Sequence, residues 1–378
     1  AHALIKRDQK SPLERSDLRD CLKKLSQMEP LRFSNEISKV NIHNNYLTTS
    51  RIVSRPEFTE ELIAFLLNKC EVVTVELTNV SEAFQFFDSQ NARGRDLEPH
   101  DLLKAYHLRE FSEADDHLKA KTINRWEQSE TDELAALFAN YLYRIRNWAR
   151  GESARYFGKA DTPLFKGVNL DTIGNYPYVE QLRIAHHFVD HYNNDYKRKI
   201  DCRDMPFPFH LDQIIINGRR FFEMTAHYQE TVKRLTDRSK RTKQSKGFDS
   251  LDTFAERVIE LIDTYPAKHR TGDRYVRSIF DCLLIYYIDK FGDTEISRAI
   301  EKIFIWAYSL RLRMQVVQLA SVDNYVIENN LFTRIKNATK PSQFLNYSLP
   351  AIQGQEKKST NTSEIESLFE EMKYYERA

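Results

Sequence analysis

Glycine and cysteine are both scarce in this sequence. Of its 378 residues, 10 are Gly and 4 are Cys. Few glycines together with many long side chains favour helices over a turn-rich β fold. The four cysteines, Cys21, Cys70, Cys202 and Cys282, lie far apart and form no Cys-x-x-Cys pair, which argues against a zinc ribbon or a redox pair. We expect them to be free, buried thiols in a reducing cytosol.

Several motifs of large enzyme classes are also missing. The sequence has no Gly-x-x-x-x-Gly-Lys-Ser/Thr, no Gly-x-Gly-x-x-Gly, no Gly-x-Ser-x-Gly and no HNH-nuclease signature. A standard P-loop ATPase, Rossmann enzyme or α/β-hydrolase would need one of the first three. The formal net charge is +1, so any site for a polyanion must come from local clustering of basic residues.

Long apolar runs are absent as well. No run approaches the roughly 18 residues that a membrane-spanning helix needs, and the start of the chain does not have the pattern of a signal peptide. We therefore predict no membrane partner and a cytoplasmic location.

The residues that are present predict a mainly α protein with a small β component. Hydrophobic residues make up 41% and charged residues 29% of the chain, which is typical of a globular protein. Apolar residues recur at helical spacing over 56–70, 115–150, 178–196 and most of 251–338. Residues 71–77, EVVTVEL, alternate apolar and polar and favour a strand. The Asn-Gly of 214–222, IIINGRRFF, fits either a hairpin or a turn before a helix.

A basic segment over 232–250 supplies the clearest predicted domain boundary, because it lacks apolar periodicity. The predicted divisions are residues 1–115, a helical insertion or subdomain over 116–235, a basic linker over 236–250, a helical bundle over 251–340, and a flexible tail with a short helix over 341–378. The linker offers a secondary DNA contact through Arg238, Lys240, Arg241 and Lys243.

Two further segments carry residues of the kinds that bind ligands. Residues 143–155, YRIRNWARGESAR, interleave four arginines with Tyr143 and Trp148, which suits phosphate and base contacts. We favour a solvated helix face with Trp148 in the core. His187 and His191 are spaced to share one helix face, but no third ligand is evident and the metalloprotease pattern is absent. We predict no metal site.

The stretch 86–104, FFDSQNARGRDLEPHDLLK, joins two predicted helices through a polar loop. Gly94 can adopt positive φ and let a phosphate approach the backbone, while Arg93 and Arg95 offer charged donors. Asn91 can hold the loop. A helix from Pro99, with Glu98 at its cap position, would add free N–H groups. The loop is either a wall of a phosphate site or an ordinary turn, in which Asp101 only caps its helix and Lys104 faces solvent.

The order of strand, helix, loop and helix over 71–108 resembles the second half of the amino-terminal domain of GmrSD-type restriction proteins, which have a ParB/sulfiredoxin-like fold. The residues that fill the places of the family's motif are Phe87, Asn91, Arg93, Gly94, Leu97, Asp101 and Lys104. The family's Asp-Gly-Gln-Gln-Arg motif does not occur in the chain. We expect it in a first lobe before Ala1, so that residues 1–115 are the remainder of a ParB-like α+β lobe.

The resemblance implies part of a prokaryotic defence protein that is nucleotide-dependent and targets DNA, as an NTPase or DNA endonuclease in its full-length form. It implies a phosphate or DNA site at Asn91, Arg93, Gly94, Arg95 and Lys104, with structural support from Phe87, Leu97 and Asp101. A nucleoside triphosphate with Mg would act in the full-length protein. Association of the chain with further copies of itself is left open. The alternative is a non-catalytic helical module that binds DNA or protein and regulates a separate nuclease.

Overall fold

Helices account for most of the residues that the structure, a computed structural model, describes. These are residues 36–70, 97–111, 116–169, 177–195, 203–236, 248 and 250–377. The predicted strand over 71–77 lies outside them. The contacts divide the chain into two compact units, residues 1–85 and 86–378. The mainly α fold with a small β component is confirmed.

In the first unit the structure describes helices α1, Glu36–Val53, and α2, Glu60–Lys69. Helix α2 confirms the helix predicted over 56–70. It begins after Thr59, whose side-chain hydroxyl accepts a hydrogen bond from the Leu62 N–H at 3.4 Å, the usual role of Thr at a helix N-cap.

The second unit contains the other described elements. Its α-helices are α3 Pro99–Arg109, α4 Asp116–Glu127, α5 Thr131–Ala136, α6 Tyr143–Trp148, α7 Pro177–Asn194, α8 Arg219–Thr236, α9 Thr253–Thr264, α10 Thr271–Phe291, α11 Ile296–Arg313, α12 Leu319–Glu328, α13 Leu331–Asn337, α14 Pro341–Leu345 and α15 Ser363–Glu371. A π-helix, Leu137–Leu142, joins α5 to α6 without a break. Three 3₁₀ helices are Lys159–Phe165, Pro266–His269 and Gly354–Glu356, and β1 Ile352–Gln353 pairs in parallel with β2 Tyr375–Glu376.

The core of this unit is built on α10 and α11, which pack extensively against each other. Both bury apolar residues around most of their circumference, as shown by Ile279, Leu283 and Ile300, which have no exposed surface. A helix that is apolar on all sides must be covered by other elements. Helices α6, α8, α9, α13 and α15 provide that cover and contribute to one continuous apolar cluster.

The predicted boundaries near residues 115, 235 and 250 lie inside this unit. Helix α8, which precedes the basic segment, packs against α10, which follows it. The segment predicted to be a flexible tail contains α14, the two strands and α15. Ile365 and Phe369 of α15 are fully buried, and the Phe369 ring lies 5.2 Å from that of Phe304. Apolar residues at helical spacing thus anchor this segment to the core.

The Asn-Gly pair forms a turn before helix α8 and not a hairpin. Gly218 has φ +74°, in the left-handed region that favours glycine. Asn217 connects the turn to Gly167, because its side-chain oxygen accepts the Gly167 N–H at 2.8 Å and its amide donates to the Gly167 carbonyl at 3.1 Å. The Asn217 N–H donates to the carbonyl of Val168 at 2.8 Å. These bonds, with that from the Val168 N–H to the Ile215 carbonyl, hold residues 215–217 beside Gly167 and Val168.

Replacing Gly167 by Ala tests this close approach. A Cβ atom there would lie 1.8 Å from the carbonyl oxygen of Ile215, so the two backbones must separate. We expect Gly167→Ala to lower the free energy of unfolding by about 3 kcal/mol, measured by chemical denaturation. Gly158→Ala is the matched control, because its Cβ would meet nothing closer than 3.7 Å. Equal effects of the two substitutions would contradict the close approach of the Gly167 backbone to the Ile215 carbonyl.

His107 is buried under the same turn and gives the fold a pH dependence. Its Nδ1 accepts the Gly218 N–H at 3.3 Å and its Nε2 lies 3.0 Å from the Phe165 carbonyl, so the neutral ring satisfies both contacts. Burial lowers the pKa of His107 to about 3. Because an unfolded His has a pKa of about 6.5, this contribution to stability is complete above that pH and is lost as the pH falls toward 3.

We expect His107→Gln to reduce the slope of unfolding free energy against pH by about 1.4 kcal/mol per pH unit between about pH 6 and pH 4. Chemical denaturation at a series of pH values measures the slope. His187→Gln is the control, since the side chain of His187 is exposed. An unchanged slope in His107→Gln would show that this ring does not titrate on unfolding.

Candidate anion-binding site

Most of the residues predicted to form a phosphate site lie outside the described part of the chain. Phe87, Asn91, Arg93, Gly94 and Arg95 are among them, as are the basic residues Arg238, Lys240, Arg241 and Lys243. Their predicted roles stay predictions. Leu97, Asp101 and Lys104 are described.

Asp101 occupies the first turn of α3, where the Asp101 carboxylate accepts the N–H of Glu98 at 3.3 Å. It supports the start of the helix as predicted, with Pro99 as the first helical residue. Leu97 lies just before that cap and is half-buried. Lys104 forms an ion pair with Glu127 on α4, so a carboxylate already contacts its ammonium group.

A different basic feature stands out among the buried residues. The described part of the chain buries five arginines, Arg144, Arg146, Arg220, Arg277 and Arg311. Three of them contact carboxylates. Arg220 pairs with Asp190 and Glu223, Arg277 with Asp263 at 2.6 Å and Asp281 at 2.7 Å, and Arg311 with Asp273 at 3.1 Å. Pairing is the usual condition for burying a guanidinium.

Arg146 of α6 has a different environment. Its Nη1 donates to the carbonyls of Leu211 at 2.8 Å and Gln213 at 3.2 Å, while its Nε has no hydrogen-bond partner among the described residues. Burial and the nearby charge of Arg150 lower the pKa of Arg146 to about 10, although Asp212 and Asp289 act in the opposite direction through space. Backbone carbonyls therefore stabilise the charge of Arg146, and no described carboxylate contacts it.

Arg144 lies two positions earlier on α6. Its Nη1 donates to the hydroxyl of Ser278 at 2.8 Å, and its Nε also has no partner in the described part of the chain. Residues two apart point to different sides of a helix, so the two guanidiniums line different cavities. Burying a cation without a contacting carboxylate costs several kcal/mol, and a bound anion would offset that cost.

The prediction of a solvated helix face over residues 143–155 is therefore wrong for these two arginines. The prediction that Trp148 lies in the core is confirmed, because Trp148 has no exposed surface. The arginines are buried because the segment is covered on several sides. Helices α10 and α13 pack on α6, and residues 211–213 bind Arg146 from another direction.

Arg146 lies in an open, polar cleft of about 730 Å³, here called the Arg146 cleft. Its walls are α6, the 3₁₀ helix Lys159–Phe165 and residues 212–215. Two further cations, Arg150 and Lys166, line it and are exposed. The Lys166 ammonium also lies 4.7 Å from the centre of the Tyr106 ring.

Three acids line the cleft as well. Asp161 accepts the Gly158 N–H at 2.8 Å and the Tyr143 hydroxyl at 3.4 Å. Asp212 accepts the hydroxyl of Tyr286 at 2.6 Å, and Glu152 is exposed. Among the described residues the cleft is thus lined by three cations and three acids, of which the guanidinium of Arg146 is the buried one.

A buried carboxylate positions the loop after α6 that supplies Glu152 and Ser153 to the cleft. Asp323 of α12 accepts hydrogen bonds from Trp148 Nε1 at 2.9 Å, the Ala154 N–H at 2.8 Å and Arg155 Nε at 3.1 Å, and a fourth from Ser153. Burial alone would raise the pKa of Asp323, but these donors lower it below its usual value. The carboxylate is therefore ionised, and its hydrogen bonds fix the loop against the C-terminal end of α6.

A family model covers residues 118–364, more than half of the chain. The chain belongs to DUF7834. This is a family of unknown function, and no curated protein and no solved structure matches the chain. The DUF7834 region contains both α6 arginines and both of their cavities, whereas Leu97, Asp101 and Lys104 precede it.

The DUF7834 region also contains the two histidines that were considered as metal ligands and for which no metal site was predicted. His187 and His191 are exposed, with ring centres 6.4 Å apart. Among the described residues, no group of three or more His, Cys, Asp or Glu side chains is placed to hold a metal ion. Cys282 is buried as expected, while Cys70, before this region, is exposed. No described helix is both long and apolar enough to cross a membrane.

A pair of substitutions tests whether the buried charge of Arg144 stabilises the fold, as that of the paired Arg277 does. We expect Arg144→Met to leave the free energy of unfolding unchanged or to raise it, because a similar apolar side chain removes an unpaired buried charge. Arg277→Met should lower it by about 3–5 kcal/mol, since it removes a buried cation that contacts the carboxylates of both Asp263 and Asp281. Chemical denaturation of both variants measures the difference, and equal losses would contradict the distinction.

Proposed function

We propose that this DUF7834 protein binds the phosphates of DNA in the Arg146 cleft, as part of a nucleotide-dependent, DNA-targeting defence protein that acts in the cytoplasm. One observation carries the proposal. A guanidinium that is 8% exposed lies in an open polar cleft without a contacting carboxylate in the described part of the chain. Arginine is well suited to phosphate because its N–H groups form a planar fork.

The positions of the other cations support the same function. Arg150 and Lys166 are exposed at the cleft, where a backbone phosphate can reach them without entering the core. An open cleft suits a polymer, because the strand must pass through it. DNA as the polymer rests on the resemblance of residues 86–104 to GmrSD-type proteins, which also makes Arg93 and Asn91 a second proposed contact.

The resemblance also implies a nucleoside triphosphate with magnesium. Among the described residues, no group of three or more His, Cys, Asp or Glu side chains is placed to hold its metal. We therefore assign phosphate recognition alone to this part of the chain. The alternative function, a non-catalytic module that regulates a separate nuclease, uses the same cleft. It predicts DNA binding without nucleotide hydrolysis by the isolated chain.

Salt-dependent DNA binding tests the cleft. Each Lys or Arg that contacts a phosphate releases a counterion, so its loss lowers the slope of log affinity against log salt by about 1. We expect this reduction in Arg150→Ala and in Lys166→Ala, measured by fluorescence anisotropy of a labelled duplex. Glu152→Gln should bind more tightly than wild type, because it removes a negative charge beside the same phosphates.

Arg183→Ala is the matched control, since Arg183 is half-exposed on α7 and pairs with Glu180 away from the cleft. Its slope should equal that of wild type. Wild-type slopes in both Arg150→Ala and Lys166→Ala would remove the cleft from the interface. The same assay with Arg93→Ala and Lys240→Ala measures the contributions of the predicted loop and the basic segment.

A further inference from the structure

A second cavity, here called the Arg144 cavity, lies beside Arg144. It has a volume of about 450 Å³ and is bounded by the π-helix and by helices α6, α9, α10 and α11, together with the 3₁₀ helix Pro266–His269. None of its lining residues lines the Arg146 cleft. The two cavities are therefore separate, although a single turn of one helix supplies an arginine to each.

The lining of this cavity is cationic. Four cations, Arg144, Lys268, Arg274 and Arg277, line it against one acid, Asp281. Arg277 is neutralised by Asp281 and by Asp263, while Lys268 donates to the backbone carbonyl of Asp263. Arg144 and the exposed Arg274 thus contribute positive charge beyond what the lining acid balances, and a small anion is the expected ligand.

Arg144 is placed to meet such an anion. Its side chain is 7% exposed, its Nη1 is held by Ser278, and its Nε has no partner among the described residues. The neighbouring π-helix also lines the cavity through Asn140 and Tyr141. The Asn140 carbonyl accepts a hydrogen bond from the Cys282 thiol at 3.1 Å. Short π-helical turns are rare and occur frequently at functional sites.

Aromatic side chains form the rest of the lining. Tyr141, Tyr265, Tyr275 and Tyr308 all line the cavity, and the Tyr265 hydroxyl is held by Asp273 at 2.9 Å. Their rings provide flat apolar surfaces beside the cations. A volume of about 450 Å³ is within the range of small-molecule sites and is too small for a duplex. Cations together with rings suit a phosphate attached to a planar group.

We propose that the Arg144 cavity binds a small phosphorylated molecule, of the chemical class of a nucleoside diphosphate, through Arg144 and Arg274. The phosphate would take the free Nε of Arg144 as a donor and the exposed guanidinium of Arg274 as a second. This proposal is independent of DNA binding in the Arg146 cleft, because the two sites share no lining residue.

Isothermal titration of the full chain with ADP, pyrophosphate and adenosine tests the proposal. We expect ADP and pyrophosphate to bind and adenosine to bind much more weakly. Arg144→Met and Arg274→Ala should each weaken ADP binding by about tenfold or more, because each removes a charged hydrogen bond. Both variants should fold, because Arg274 is exposed and Arg144→Met removes an unpaired buried charge, and thermal unfolding of both verifies this.

Two controls separate this site from the cleft. Arg150→Ala and Arg183→Ala should both retain wild-type affinity for ADP. The proposal is overturned if neither ADP nor pyrophosphate binds, if adenosine binds as tightly as ADP, or if Arg274→Ala leaves the affinity unchanged. Loss of ADP binding in Arg150→Ala alone would also overturn it, since the ligand would then occupy the Arg146 cleft. Failure of DNA binding has no effect on any of these readouts.

Discussion

Burial of two guanidiniums on one short helix is the constraint around which this structure is arranged. Arg144 and Arg146 are nearly inaccessible, yet no described carboxylate contacts either of them. Other buried arginines of the same core are paired, because Arg277 contacts the carboxylate of Asp263 and Arg311 contacts that of Asp273. Among the described residues, the other buried arginines do not carry the energetic cost of an unpaired guanidinium that Arg144 and Arg146 carry on α6. Such a departure from local consistency is typical of functional positions.

Several long-range contacts keep α6 in that environment. Asp323 binds the end of α6 and the loop after it, the carbonyls of Leu211 and Gln213 solvate Arg146, and Ser278 holds Arg144. Each partner comes from a different part of the chain. Helices α10 and α11 form the apolar framework against which these parts pack. The two cavities are therefore properties of the assembled DUF7834 region and not of α6 alone.

Local signals predicted the elements well and their assembly less well. The cap at Glu98, Pro99 and Asp101 marked the start of α3 because capping depends on residues within one turn. The Asn-Gly pair marked a turn but did not decide what followed it. The predicted tail and the predicted helical subdomains proved to share a core, because whether amphipathic segments pack on one another depends on distant partners. The loop at 91–95 stays a prediction, outside the described residues.

The sequence by itself determined that the protein is mainly helical, through scarce glycine and helical apolar spacing, and it identified residues 143–155 as rich in arginine and aromatic side chains. Only the tertiary structure decided that Arg144 and Arg146 are buried, that they line separate cavities and that neither contacts a described carboxylate. The physical reason is distance along the chain. The groups that accept hydrogen bonds from these guanidiniums belong to residues more than 60 positions away, and no local pattern encodes such a contact.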